Sequence, residues 1–549
     1  HMDNHWRDFS DKESIGESLY CYGWGDGGGG VDPEMIECAV RYQDFPGLVP
    51  VKFSQPEEAL LRIAEKAKNE GDAIPVWRDE MYLEAHRGTF TNKARLKKLN
   101  RRAEILYREA EMLATFAWLD GADYPAEQLD EGWKALLTTQ FHDSLPGTHI
   151  SEVYPYLLNE YEQIMAIGEA VRDEALRHLF DTSDDGENLL VFNSLPTQWE
   201  DILTIDAAVL DGKVPAKNNG DALPHQSITA LDGTESVLVQ LTDGMNVPSL
   251  GSIIFALTDP TPTIESQVIV ETHALENEHL RAEFADNGEL VRLWDKSARR
   301  DVLVEGEHGN QFKMYEDKPG KYDAWDIVAT YYEHEIPIKG ESTLEIDETG
   351  PLRGSLKLTR KIGNSTLVQR ISLSANSSGL TFETEIDWYE RQRLLKVGFP
   401  VAINADRATY DIAYGNIERP THRNTSFDAA RFEVPAHWWM DVSEFNYGVA
   451  LLNDCKYGYE ANGHWMRLTL LKGSIYPDPT ADRELHHFTY VLCPHGGDWR
   501  TGRVHTIASR LNMPLICGRT SNTPQMHDLL PFSLGNPFLE AVKRSEDGE

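Results

Sequence analysis

At 549 residues the chain exceeds what one hydrophobic core organises, and three or four domains are expected. Its 89 acidic side chains against 52 basic ones give a net charge of -37, a field that repels nucleic acid and anionic membranes and argues against both as partners. No apolar run reaches the length of a membrane span and no leader peptide is visible. The five cysteines (Cys21, Cys38, Cys455, Cys493, Cys517) are scattered without a C-x-x-C pair, so they read as reduced thiols of a cytoplasmic protein.

His1-Met2 reads as vector-derived, so the native sequence is expected to begin near Asp3. Residues 18 to 90 alternate strand and helix signals. Leu19–Tyr22, Leu48–Phe53 and Ala73–Trp77 are the predicted strands. One predicted helix opens at Asp32-Pro33, with Asp32 as N-cap, and another at Ser54-Gln55-Pro56-Glu57. This is βαβαβ material that calls for buried parallel strands. The run Gly23-Trp24-Gly25-Asp26-Gly27-Gly28-Gly29-Gly30 has neither G-x-G-x-x-G spacing nor Gly-Lys-Ser, so it is a weak phosphate loop. A better reading is a backbone packed tightly around Asp26 at the C-terminal end of a strand, where active-site residues of α/β sheets collect.

From Thr91 to Phe180 the period is helical. Leu96, Leu99, Ala103, Leu106, Ala110 and Leu113 form one apolar stripe along Lys93–Leu119. Leu129–Gln140 and Ile150–Phe180 complete a three-helix bundle. Asp181–Glu187 is an acidic linker, after which short β-rich runs take over: 189–193, 237–239, 252–255, 267–270, 356–371, 380–388, 447–452 and 488–492. The expected architecture is multidomain α+β, with the remnant of an α/β domain over 1–90 and the bundle over 91–182. A small β domain over 187–265 and a large β-sandwich over 266–549 follow.

Four constellations could carry chemistry. In Gln140-Phe141-His142-Asp143-Ser144-Leu145-Pro146-Gly147-Thr148, Pro146 and Gly147 stop a helix and leave His142 and Asp143 at its C-terminal end. His142 there is either a cap for the last carbonyls or a metal ligand with a carboxylate beside it. Glu84-Ala85-His86-Arg87-Gly88-Thr89 crowds acidic, imidazole and guanidinium groups before the bundle, and could equally be a charged capping loop. Tyr322-Asp323-Ala324-Trp325-Asp326 is either a turn with an anchoring Trp or a sugar platform, an aromatic ring flanked by carboxylates. Glu418–Arg423 and His437-Trp438-Trp439 read as structural, buried aromatics with paired charges. H-E-x-x-H and G-x-S-x-G are absent.

Taken together and in this order, these segments resemble glycoside hydrolase family 38, the retaining α-mannosidases, in particular the bacterial branch. The match runs through Tyr22–Gly30, Tyr82–Thr89, Asn100–Glu104, Gln140–Thr148, Asp323–Asp326, Glu418–Thr425 and Leu451–Gly458. The resemblance implies zinc-assisted hydrolysis of terminal α-mannosides, with mannose-containing oligosaccharides as partners. His142 matches the family's late zinc-ligating His. The metal would grip vicinal hydroxyls while one carboxylate attacks the anomeric carbon and a second protonates the leaving oxygen. Asp26 and Glu84 are the candidates for the general acid, and Asp143, beside the ligating imidazole, is a third catalytic candidate. His86, Arg87, Trp325 and Asp326 are the candidate substrate-binding residues. A homo-oligomer is left open.

The family's His-x-Asp pair and its nucleophile belong upstream of the glycine run, where Asp3–Ser18 is merely polar. The resemblance thus implies the C-terminal portion of a mannosidase with three of four zinc ligands absent. It also implies that the 322–326 loop folds back towards the bundle, and that Asp143, without its cation, turns to Arg87. Two rivals remain: a non-catalytic carbohydrate-binding or scaffolding protein derived from the same fold, and a separate chain that completes the site.

Overall fold

The computed structural model describes residues 1–71, 74–82, 85–242, 244–261, 265–529 and 539–546. Two compact units make up the chain, His1–Tyr82 and Leu83–Glu549. The first holds two short helices, α1 (Met2–Asp8) and α2 (Lys12–Ile15), and two longer ones, α3 (Pro33–Gln43) and α4 (Pro56–Glu70). Asp32 caps α3 as its spacing predicts, accepting from the Met35 amide at 2.8 Å, with Pro33 in the first turn. The predicted strands do not form: among the described residues of this unit none belongs to a ladder, and 19–22, 48–53 and 74–77 carry no strand pairing. A parallel strand is stable only between hydrogen-bonded neighbours, and these segments do not pair with one another.

The second unit opens on the bundle of α5 (Ala94–Leu119), α6 (Ala126–Thr139) and α7 (Val153–Phe180). The leucine stripe is buried apart from the half-buried Leu99: Leu96 and Ala103 pack with Leu136, Leu157 and Ile164, Ala110 with Leu129 and Val171, and Leu113 with Leu176 and Phe180, while Leu106 is also buried. Beyond it every ladder is antiparallel. A nine-stranded sheet runs from Ser342–Thr349 through Leu380–Asp387, Leu485–Gly496 and Tyr447–Asn453 to Gly415–Pro420. A six-stranded sheet is centred on Arg393–Pro400 and Trp465–Lys472. The two meet through Phe382, Phe399 and Tyr490, with Phe382 and Tyr490 stacked at 4.9 Å and Phe399 5.7 Å from Phe382. Strand Ile516–Thr520, placed by the sequence reading with the 266–549 domain, instead pairs along Asn188–Asn193, from Asn188 opposite Thr520 to Phe192 opposite Ile516.

Polar bolts fix α5 to the β half. Asp482 takes both amides of the helix start, Lys93 N at 2.8 Å and Ala94 N at 2.7 Å, and so acts as its cap from 388 residues away in sequence. Two turns on, the fully buried Arg101 donates to the carbonyls of Asn453, His437 and Lys456 and to the hydroxyl of Tyr457, on whose ring it stacks. A guanidinium suits this position because its planar fork reaches several acceptors at once.

Candidate active site

The start of α5 is also where three of the four sequence constellations gather. The Asn92 side chain donates to the Gly147 carbonyl, and its amide donates to the Gly88 carbonyl at 3.0 Å. Gly88 in turn donates its amide to the Trp325 carbonyl at 2.9 Å. The fit around Gly88 needs the missing side chain, since a Cβ would stand 2.7 Å from the Ala324 carbonyl oxygen and 2.8 Å from that of Asp326. Loops 86–90 and 322–326 are therefore held together through backbone groups, and loop 142–148 is tied to them through the Asn92 side chain.

Within loop 142–148 the imidazole is exposed, and His142 Nε2 lies 3.4 Å from Asp143 Oδ2. Asp143 does not turn to Arg87, as the sequence reading expected. Its other oxygen accepts the Thr148 hydroxyl at 2.6 Å, and its carbonyl accepts the Thr148 amide at 3.2 Å. A turn through Gly147, at φ 77°, brings Thr148 back within reach, so a local donor displaces the distant one. Lys97 secures the loop from below, donating to the carbonyls of Asn92, Leu145 and Pro146. Burial, only partly offset by the nearby Asp482, pulls its ammonium down to about 7. Gln140 is tied to Asn100 at 3.0 Å and Glu104 at 2.9 Å.

Arg87 is buried and stacks on Phe432 at 4.6 Å, donates to the Ala430 carbonyl, and stands 3.8 Å from the Asp326 carboxylate. It lines an open cleft of about 650 Å³ with Lys318, Lys321, Asp326, Val328 and Phe432. His86 adopts the left-handed conformation, φ 74°, with an exposed side chain; its carbonyl accepts both the amide and the hydroxyl of Thr89. Trp325 is half-buried between Tyr322, at 5.6 Å, and Tyr476, at 6.3 Å. Its loop is pinned by Asp323, which accepts the Ile475 amide at 2.6 Å, and by the Ala324 amide, which donates to the Tyr476 carbonyl. Burial raises the Asp323 carboxyl despite Lys472 beside it. Sequence reasoning missed Tyr476, Asn92 and Lys97. An exposed Tyr in Gly473-Ser474-Ile475-Tyr476-Pro477 gives no local signal, because its neighbour Trp325 is 151 residues away.

Two catalytic candidates, Asp26 and Glu84, are not among the residues these contacts join. Asp26 sits exposed in a single 3-10 turn, Gly25–Gly27, and the glycines wrap Trp24 instead: a Cβ on Gly29 would meet its ring at 3.0 Å. Glu84 lies outside the described residues. Glu418–Arg423 and His437–Trp439 do structural work, with Arg419 stacked on Tyr410 and Arg423 2.8 Å from Glu460. A zinc ion takes about four ligands. His142 and Asp143 offer two, and among the described residues the one cluster of three or more metal-capable groups is Asp482, Glu484 and His486. That cluster is already committed to the α5 start, to the Tyr154 hydroxyl and to the Asp482 carbonyl. The described residues alone do not fit a zinc centre.

Two family models match the chain, the alpha mannosidase middle domain over 84–179 and the glycosyl hydrolases family 38 C-terminal domain over 275–480. The chain belongs to glycosyl hydrolase family 38. It is 35% identical over 548 residues to human alpha-mannosidase 2C1, an alignment spanning 98% of this chain and 50% of that protein. It is 32% identical over 581 residues to alpha-mannosidase G of Dictyostelium discoideum, spanning 98% and 52%. The chain thus spans about half the length of the curated relatives it matches. A crystal structure of an alpha-mannosidase from Enterococcus faecalis V583 shares the fold, with a TM-score of 0.73 and 17% identity across 90% of this chain and 65% of that one. Among the described residues no helix is long and apolar enough to cross a membrane.

Proposed function

We propose that the protein to which these residues belong is a retaining α-mannosidase acting on terminal α-mannosides of cytoplasmic oligosaccharides, and that this chain supplies the aglycone-facing wall of its site. The observation that carries the reading is the convergence of the family-matching loops 86–90, 142–148 and 322–326 on the start of α5. In this reading the chain is organised as 1–90, 91–182, 187–265 and 266–549. His142 gives one imidazole nitrogen to a zinc whose remaining ligands come from elsewhere, and Asp143, hydrogen-bonded to Thr148, holds the adjacent negative charge. Zinc, when bound, would polarise sugar hydroxyls. Arg87, Asp326 and Trp325 would orient the sugar, with His86 at the rim.

Of the 549 residues, only His1-Met2-Asp3 spells the His-x-Asp pair, and the family resemblance places the nucleophile, like that pair, upstream of the glycine run, where Asp3–Ser18 is merely polar. The purified chain is therefore expected to leave an aryl α-mannoside unhydrolysed above background, with or without added zinc, since removing a catalytic nucleophile costs many orders of magnitude. Metal analysis should find zinc well below one per chain. Turnover and one tightly held zinc, both lost on His142→Ala, would show that this chain completes its own centre.

A further inference from the structure

We propose that Tyr322, Trp325 and Tyr476 form an aromatic shelf that stacks a pyranose ring other than the one cleaved, so that the site selects oligosaccharides over simple mannosides. This rests on the α-mannosidase reading and names a subsite within it. Tyr322 is 59% exposed and Tyr476 56% exposed. Trp325 between them meets Tyr322 edge-on at 76° and 5.6 Å, and Tyr476 at 38° and 6.3 Å. Two large exposed rings flanking a third are costly to leave in water unless something covers them.

The shelf is also held in place. Its two sources, 322–326 and 474–477, are joined by the Asp323 bond to the Ile475 amide and by the Ala324 bond to the Tyr476 carbonyl. Trp325 is fixed from the other side by Gly88. Segment 474–477 is anchored further by Ser474, whose hydroxyl donates to the Asn92 side chain. The rings therefore need little ordering when a ligand arrives, which favours binding. A sugar is the ligand class such a surface takes: the axial C–H face of a pyranose is apolar and packs on a ring, while its hydroxyls stay at the polar rim. That rim is at hand in Asp326, Arg87, Lys318 and Lys321, which line the neighbouring cleft of about 650 Å³. A single mannose bound at His142 would not use the shelf; a second and third residue would.

Equilibrium binding of α-linked mannotriose and of mannose to the purified chain, followed by tryptophan fluorescence and calorimetry, tests the proposal. Mannotriose should bind at least about tenfold more tightly than mannose. Tyr476→Ala and Tyr322→Ala should each lower that affinity about three- to tenfold, in line with aromatic contacts of about 0.5–1.5 kcal/mol. Tyr476→Phe, which keeps the ring, should retain binding. The tyrosines are surface residues, so thermal unfolding should be unmoved and folding is not at issue. Absence of mannotriose binding, or binding that both alanine variants leave intact, overturns the shelf. Loss of mannotriose binding on Asp326→Asn, with both tyrosine-to-alanine variants unaffected, overturns it while leaving the mannosidase reading standing. Equal binding of a β-linked glucose trisaccharide that depends on Tyr476 would keep the shelf and sink the α-mannoside reading.

Discussion

Gly88 is the residue on which the candidate site turns most directly. Its amide holds the 322–326 loop, and three backbone atoms of that loop lie within 2.9 Å of where a Cβ would stand. Backbone cannot rotate away as a side-chain tip can, so Gly88→Ala must push the loops apart. We expect a loss of about 1–3 kcal/mol in denaturant unfolding together with loss of oligosaccharide binding; unchanged values of both would show the contact to be slack. Glu460 sets a pH dependence of opposite origin to the usual buried acid. Although burial opposes ionisation, Lys396, Arg467, the Tyr331 hydroxyl and Arg423 together hold its carboxyl down at about 2. A carboxyl lower in the folded than the unfolded state stabilises fully above the unfolded value and loses that contribution as pH falls. Its share should therefore disappear between about pH 4.5 and 2, the interval between the ordinary glutamate value and the shifted one. Glu460→Gln should flatten unfolding free energy against pH in that window, and an unaltered slope would assign acid sensitivity to other groups.

At the scale of elements, the helices were legible because each carries its own period, and their bounds fall within three residues of those read from the leucine stripe and the Pro and Gly stops. The strand runs after 187 were legible for the same local reason. What failed was pairing: 19–22 and 48–53 have strand composition without ladder partners, and 516–520 pairs across more than 300 residues with 188–193. Composition states a preference, while pairing needs a neighbour that sequence does not name. The same holds at the site, where motif residues stood out but the contacts joining them, Asn92 to Gly147 and Asp482 to the α5 start, are long-range. Arg101 shows how much such a contact weighs. Arg101→Met would strand the carbonyls of Asn453, His437 and Lys456 in a buried interface, at about 3–5 kcal/mol. Arg101→Lys should recover little, since one ammonium does not span the guanidinium's fork. Chemical denaturation of both variants checks this, and wild-type stability in Arg101→Met would reduce the interface to apolar packing.

The two units of the molecule differ in what holds them together. Of the described residues in His1–Tyr82, only Ile15, Ala39 and Ala59 are buried, while Ile36, Val40, Phe45, Phe53, Leu60 and Leu61 are each at least 45% exposed. Three buried side chains remove too little apolar area from water to offset the ordering of some eighty residues, which costs about 1.5 kcal/mol per residue. The second unit contains the clusters built on Leu189, Phe192 and Tyr161, both sandwich sheets and the bolts to α5, none of which draws on residues before 83. A chain beginning at Ala85 should consequently fold, with the melting temperature of the full 549 residues within about 3 °C, a shift that for a unit this large corresponds to roughly 1 kcal/mol or more. A peptide of residues 1–82 should show little ordered helix by circular dichroism, because two helices of 11 and 15 residues are marginal without a packed face. Should the shortened chain melt far below the full one, or the peptide fold by itself, the stability of the first unit would have a source other than its own buried side chains.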